Sequence, residues 1–192
     1  MNVGIFGGTF NPPHYGHLVV AERVREELGL HKVLFIPSGI SPHKQHLEAV
    51  APAVRMEMVR LALLGQQCYE PSSMEVARGG VSYTVDTLER LRQDHPGSVL
   101  HLLIGMDNLE EFDSWKLPGR ILELAKVVVM TRPGFRPGGV AAESGRPFVF
   151  CQVPEIGISS SEIRERVKQG KSIRFLVPKQ VEAYINYRGL YR

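Results

Sequence analysis

Short runs of near-continuous apolar residues, set between stretches with helical spacing, most limit what this chain can fold into. Asn2–Phe6, Lys32–Ile36, Val99–Ile104, Val127–Thr131 and Phe148–Val153 carry apolar residues with little polar alternation. Strands of that kind are covered on both faces, as in a parallel sheet. The intervening segments repeat apolar residues every three or four positions, the mark of a helix buried along one side. Gly16–Leu28 places Leu18, Ala21, Val24, Arg25 and Leu28 on that spacing and stops at Gly29. Pro52–Leu64 groups Val54, Met58, Leu61 and Ala62, and Thr84–Asp94 groups Val85, Leu88 and Leu91. Ser160–Gln169 and Pro178–Tyr187 complete the set, the last with a proline in its first turn. The alternation predicts the α/β class: a doubly wound, Rossmann-like parallel sheet with helices on both faces. At 192 residues the chain is expected to form a single domain over 1–192.

Composition removes several functional classes. The chain is 43% apolar and 22% charged with a net charge of +3, which is ordinary for a globular protein. Its arginines are scattered, whereas a nucleic-acid footprint needs clustered Lys and Arg, so no nucleic-acid partner is expected. Cys68 and Cys151 are far apart and in no CxxC context, so neither a disulfide framework nor a four-ligand zinc site is expected. The opening residues lack a basic segment and the long apolar stretch of a leader, and no run reaches about 18 apolar residues. The expected location is the cytoplasm, with no membrane partner. Ser38–Leu47 and Pro133–Pro147 are expected as loops, the second a mobile surface one.

The first strand-to-helix turn carries the densest chemistry. Gly7, Gly8 and Thr9 follow the strand, and His14 and His17 stand three apart at the mouth of the helix, with Gly16 between them. Glycines let the backbone approach a ligand, and a helix N-terminus is an anion site. Two imidazoles on one face can donate hydrogen bonds to phosphate oxygens. Other readings stay open for these residues: a plain tight turn, or half of a metal site that lacks a third ligand. His43 and His46 share the spacing but lie in a polar loop, where solvent exposure explains them. Two phosphate motifs are excluded. Gly170–Lys171–Ser172 ends like a P-loop, but the required first glycine is Glu165, and no GxGxxG follows a strand.

At this point the residues carry a family. Gly7–His17, GGTFNPPHYGH, resembles the HxGH signature of the α/β nucleotidyltransferase superfamily. Ile158–Arg164, ISSSEIR, resembles the closing motif of that superfamily. The stretches PSGISPHK, RMEMVRLA, SYTVDTL, IGMDNL with Trp115, and TRPG are similar to bacterial nicotinate-nucleotide adenylyltransferases over nearly the whole length. Ser41 stands where that family often has proline, and Ser161 where threonine is common; a hydroxyl at 161 and a lysine at 44 remain.

The resemblance implies adenylyl transfer from ATP to nicotinate mononucleotide, giving nicotinate adenine dinucleotide and pyrophosphate in NAD synthesis. It implies backbone of Gly8, Thr9 and Phe10 around ATP. His14, His17 and Arg164 would act on the triphosphate, together with Ser160 and Ser161. Gly105 and Asp107 would meet adenosine, although Asp107 also reads as a helix cap. Lys44, Ser82, Tyr83, Thr84 and Trp115 would hold the mononucleotide. Mg2+ would arrive on the ATP phosphates, with no metal ligand from the chain. A homo-oligomer is possible on this reading. Ser159 and Glu162 also fit a helix-capping box in their own right. Three rivals remain: a phosphopantetheine-type transferase, a non-catalytic nucleotide binder on the same fold, and a nucleic-acid module.

Overall fold

The structure is a computed structural model and describes residues 1–40, 50–132, 134 and 146–192. The first apolar run becomes β1 (Asn2–Gly8), longer than expected because both glycines stay extended and keep pairing. It leads through a loop to α1 (Tyr15–Glu27) and β2 (Lys32–Pro37). Then follow α2 (Pro52–Ala62), β3 (Tyr69–Pro71), α3 (Met74–Arg78) and α4 (Thr84–Asp94). Next come β4 (Val99–Gly105), α5 (Met106–Glu110), a 3-10 turn (Phe112–Ser114) and α6 (Pro118–Leu124). β5 (Lys126–Thr131), β6 (Val149–Gln152), α7 (Ser160–Lys168) and α8 (Lys179–Arg188) close the order. The strands run β3-β2-β1-β4-β5-β6, and every pair is parallel.

Alternation along each strand feeds two separate cores. Val3, Ile5, Leu34, Ile36, Leu102, Ile104, Val127 and Val129 face α4 and α6, where Leu88, Leu91, Ile121 and Leu124 pack. Phe6, Val33, Phe35, Leu103 and Val128 face the other way, toward Ala21, Val24, Val59 and Leu63 of the α1 and α2 segments. This is the doubly wound sheet that the apolar runs predict. A third cluster joins Met58 and Ala62 of α2 to Ile163, Ile173, Val177, Val181 and Ile185, so α7 and α8 dock on α2.

Several sequence expectations need correction. The buried face of α2 is Arg55, Met56, Met58, Val59 and Ala62; Val54 and Leu61 are only half-buried. The helix lies between the sheet and α8, so its contact stripe is wider than one seam and includes a charged residue. Arg25 leaves the core face and pairs with Glu22 at 2.8 Å. The spacing does not predict β3, α3 or α6, and α5 is marked only by Asp107 as a cap: each has seven residues or fewer, too few to show a period. Lys44 and most of the two expected loops lie outside the described residues.

Strand order places a crevice. β1 pairs with β4 only up to Ile5 opposite Leu102, while it continues along β2 to Gly8 opposite Pro37. Beyond Ile5, then, β1 and β4 part at their carboxyl ends. The order reverses at this junction, because α1 and α4 carry the chain to opposite sides of β1, and parallel sheets bind ligands in such crevices.

Candidate active site

The crevice opens into a cleft of about 1270 Å³. Its walls are the β1–α1 loop, Ser38–Ile40 after β2, Gly105–Asn108 after β4, Arg132, and the segment from Val153 to Ser161 with Arg164. Among the sequence-expected residues, Gly8, Thr9, Phe10, His14, His17, Gly105, Asp107, Ser160, Ser161 and Arg164 all line it. A Cβ placed on Gly7 or Gly105 would meet no atom within 4 Å, so packing demands neither glycine. Both leave room on the cleft side for a close ligand.

His14 and His17 form one unit. Their rings stack with centroids 3.7 Å apart. The His14 backbone N–H donates to His17 Nδ1 at 3.2 Å, so the first turn of α1 is capped by its own imidazole. Because Nδ1 accepts, a neutral His17 carries its proton on Nε2. Phe10 and Phe6 pack edge-on against the same ring at 5.0 and 6.1 Å. His14 is 6% exposed, and burial pulls its pKa down to about 4, so the ring is neutral at pH 7. A Cβ on Gly16 would stand 2.9 Å from His14 Nδ1. The room that Gly16 provides is therefore for the His14 ring itself.

The two sequence motifs meet here. Arg164 donates through Nη1 to the Asn11 carbonyl at 2.9 Å and through Nη2 to Ser161 Oγ at 3.1 Å. Ser160 Oγ donates to the Pro12 carbonyl at 2.8 Å. Ser159 caps α7 by accepting from the Glu162 N–H at 3.1 Å. The free amides of the first α7 turn are thereby held against the His-bearing loop, and they give that mouth partial positive charge. The Ser160 hydroxyl proton goes to backbone, so toward a ligand this group offers oxygen lone pairs. Gly105 takes the N-cap position of α5, and Asp107 sits within its first turn rather than capping it.

Of the residues expected around the mononucleotide, Ser82, Tyr83, Thr84 and Trp115 stand behind or beside the cleft. Ser82 Oγ accepts from the Gly39 N–H at 2.9 Å, and Ile40 bridges Gly80 and Ser82 through backbone bonds of 3.1 and 2.9 Å. Ser82 thus backs the cleft wall. Lys116, next to Trp115, lies 4.6 Å from the Tyr83 ring centroid and pairs with Asp86 of α4 at 2.9 Å. The Trp115 and Tyr83–Thr84 segments are neighbours, although neither lines the main cleft.

Four positions at or behind the cleft are not singled out by the sequence patterns. Arg55, 2% exposed, donates to the carbonyls of Thr9 (2.8 Å), Ser38 (2.6 Å), Gly39 (2.8 Å) and Val50 (3.1 Å). One guanidinium ties the β1 loop to the β2 loop. Its signal was present: an arginine on the buried period of a helix. Glu75 is buried beside this region, accepts from Thr87 Oγ1 at 2.7 Å and is hydrogen-bonded by Ser82; burial pushes its carboxyl up. Asn11 is 6% exposed and lines the cleft. Tyr191 reaches it from beyond α8, at 2.7 Å, a contact no local pattern announces.

Glu155, which lines the cleft, pairs with Arg132 at 3.3 Å. No group of three or more His, Cys, Asp or Glu able to hold a metal occurs among the described residues. No helix among the described residues is long and apolar enough to cross a membrane.

Comparison with known proteins fits this geometry. A family model for cytidylyltransferase-like proteins matches residues 5–166. A relative from Desulfitobacterium hafniense, named a probable nicotinate-nucleotide adenylyltransferase, is 43% identical over 99% of this chain and 95% of its own. A relative of the same name from Salinibacter ruber is 41% identical over 100% of this chain and 98% of its own. The solved nicotinic acid mononucleotide adenylyltransferase of Plasmodium falciparum, complexed with NaAD, superposes with a TM-score of 0.81 at 18% identity. That match covers 99% of this chain and 97% of the other.

Proposed function

The chain belongs to the cytidylyltransferase-like family and, within it, to the nicotinate-nucleotide adenylyltransferases; from that premise we propose how its residues share the work. The enzyme transfers the adenylyl group of ATP to nicotinate mononucleotide, releasing pyrophosphate and giving nicotinate adenine dinucleotide, a step of NAD biosynthesis. The single observation that carries the assignment of the site is the junction of the two motifs. Arg164 and Ser160 bond the carbonyls of Asn11 and Pro12 at the mouth of the cleft.

The nucleophile is a mononucleotide phosphate oxygen, ionised at neutral pH, so no strong base is required. The obstacle is bringing two polyanions into line and accommodating charge on the departing pyrophosphate. The backbone of Gly8, Thr9 and Phe10 would follow ATP along the wall, with Gly105 and Asp107 at adenosine. His17 would donate Nε2–H to phosphate oxygens. His14, neutral and stacked against it, would fix that ring and supply a second donor. Ser161, Arg164 and the α7 amides would take the β- and γ-phosphates. Mg2+ would be held mainly by the ATP phosphates and would neutralise part of their charge. Lys44, Ser82, Tyr83, Thr84 and Trp115 would serve the acceptor; Ser82 would do so by shaping the wall through Gly39. We also place the enzyme in the cytoplasm, where the free thiols Cys68 and Cys151 stay reduced.

The test is pyrophosphate release with ATP and magnesium, with nicotinate mononucleotide, nicotinamide mononucleotide and phosphopantetheine assayed in parallel. Turnover chiefly with nicotinate mononucleotide is expected. Preference for phosphopantetheine would overturn the acceptor, and turnover with none of the three would overturn the enzymatic reading.

A further inference from the structure

Beyond α8 the chain turns back. Gly189 ends the helix in the left-handed region at φ 59°, and the Leu190 N–H returns to the Ile185 carbonyl at 3.0 Å. Tyr191 is itself left-handed at φ 64°. A bulky L-residue enters that region only where its surroundings hold it there. What holds Tyr191 is the back of the active-site loop. Its hydroxyl donates to Asn11 Oδ1 at 2.7 Å and lies 3.9 Å from Met58 Sδ of α2. The guanidiniums of Arg55 and Arg164 bond the Thr9 and Asn11 carbonyls of the same loop.

Asn11 stands at the centre of this arrangement. Its carbonyl takes Arg164, its Oδ1 takes Tyr191, and the neighbouring Pro12 carbonyl takes Ser160. With Oδ1 engaged by the phenol, Nδ2 is the carboxamide's remaining polar group, and Asn11 lines the cleft. Residues from both ends of the sequence thus set one loop, and Tyr191 is the only one of them that does not itself line the cleft.

Building on the adenylyl-transfer reading, we propose that Tyr191 is a positioning residue: it latches Asn11 from behind, aims the carboxamide at the nucleotide phosphates, and keeps the His-bearing loop seated on α7. It touches neither substrate. Its effect passes through Asn11, so the two residues must be energetically coupled.

The test is a double-mutant cycle of Tyr191→Phe and Asn11→Ala. It is read by kcat, by KM for each substrate, and by affinity for a non-hydrolysable ATP analogue. Tyr191→Phe keeps the ring and removes only the hydroxyl. It is expected to lower kcat about 10-fold and weaken the analogue about 5-fold, the scale of a small misplacement of reacting groups. KM for nicotinate mononucleotide should hold within 2-fold (approximately), and the thermal midpoint should fall by no more than about 4 °C. In the Asn11→Ala background the same substitution should change kcat and analogue affinity by less than roughly 2-fold. Wild-type kinetics and binding in Tyr191→Phe would overturn the proposal. So would equal losses in both backgrounds, or a midpoint lowered by more than about 10 °C, which would make the residue part of the core. If the wild-type chain fails to turn over nicotinate mononucleotide, the acceptor reading falls, and the analogue-binding cycle alone decides the latch.

Discussion

His14 illustrates how neighbouring residues set one side chain's chemistry. Gly16 makes space for its ring, His17 stacks on it, and burial keeps it neutral. Gly16→Ala would put a methyl group 2.9 Å from Nδ1, so one ring must move. A loss of about 1–3 kcal/mol is expected from such overpacking, with a lower kcat because the imidazole pair is displaced. Urea unfolding and steady-state kinetics of the variant check both; a variant as stable and active as wild type would sink the account. His17→Ala removes the proposed phosphate donor and the acceptor for the His14 N–H, and should lower kcat by ~10²–10³. An intact kcat would remove His17 from the chemistry. Protonation gives a third test. His14 has a folded pKa of about 4 against an ordinary 6.5, so below pH 6.5 the unfolded chain takes up a proton that the folded chain refuses. Stability must therefore fall as pH drops from 6.5 toward 4, by about 3 kcal/mol from this group, and level off below. Subtracting the pH profile of His14→Asn isolates the contribution; identical slopes would contradict it.

Among the secondary elements, α2 shows how a helix can set two loops at once. It presents Arg55 between the β1 and β2 loops, and four backbone carbonyls depend on that guanidinium. Replacing it with methionine keeps the volume and strands those carbonyls, at a cost of roughly 2–4 kcal/mol. Lysine keeps the charge but cannot spread one rigid fork over four acceptors, so Arg55→Lys should recover only part of the loss. Denaturant midpoints of both variants check the ranking; full recovery by lysine would mean that charge alone is required. The α7 cap was legible in ISSSEIR because an S-x-x-E pattern is a local signal. The buried face of α2 was misread because periodicity measures apolarity. It cannot register that a charged side chain is held inside by carbonyls from distant loops.

Across the whole molecule, the site is a closure of remote sequence. Loop residues after β1 bond to α7 and to Tyr191, and the α7–α8 pair docks on α2. A nucleotide that grips both motifs should therefore stabilise the entire fold. A non-hydrolysable ATP analogue with magnesium at 100 times its Kd should add about 2.7 kcal/mol, or a few degrees in thermal midpoint. Calorimetry or dye-monitored melting reads this; an unchanged midpoint at saturation would contradict the assignment of the cleft. The chain by itself determined five of the six strands, the main helices and the parallel doubly wound class, and its two motifs at the cleft stand out by their resemblance to a family. The elements follow from residue spacing and from local hydrogen bonding. Only the tertiary structure decided where β1 and β4 part, that Arg55 and Tyr191 hold the loop, and that His14 is neutral. Each of those depends on which distant groups share a low-dielectric space, and a linear pattern carries no record of that.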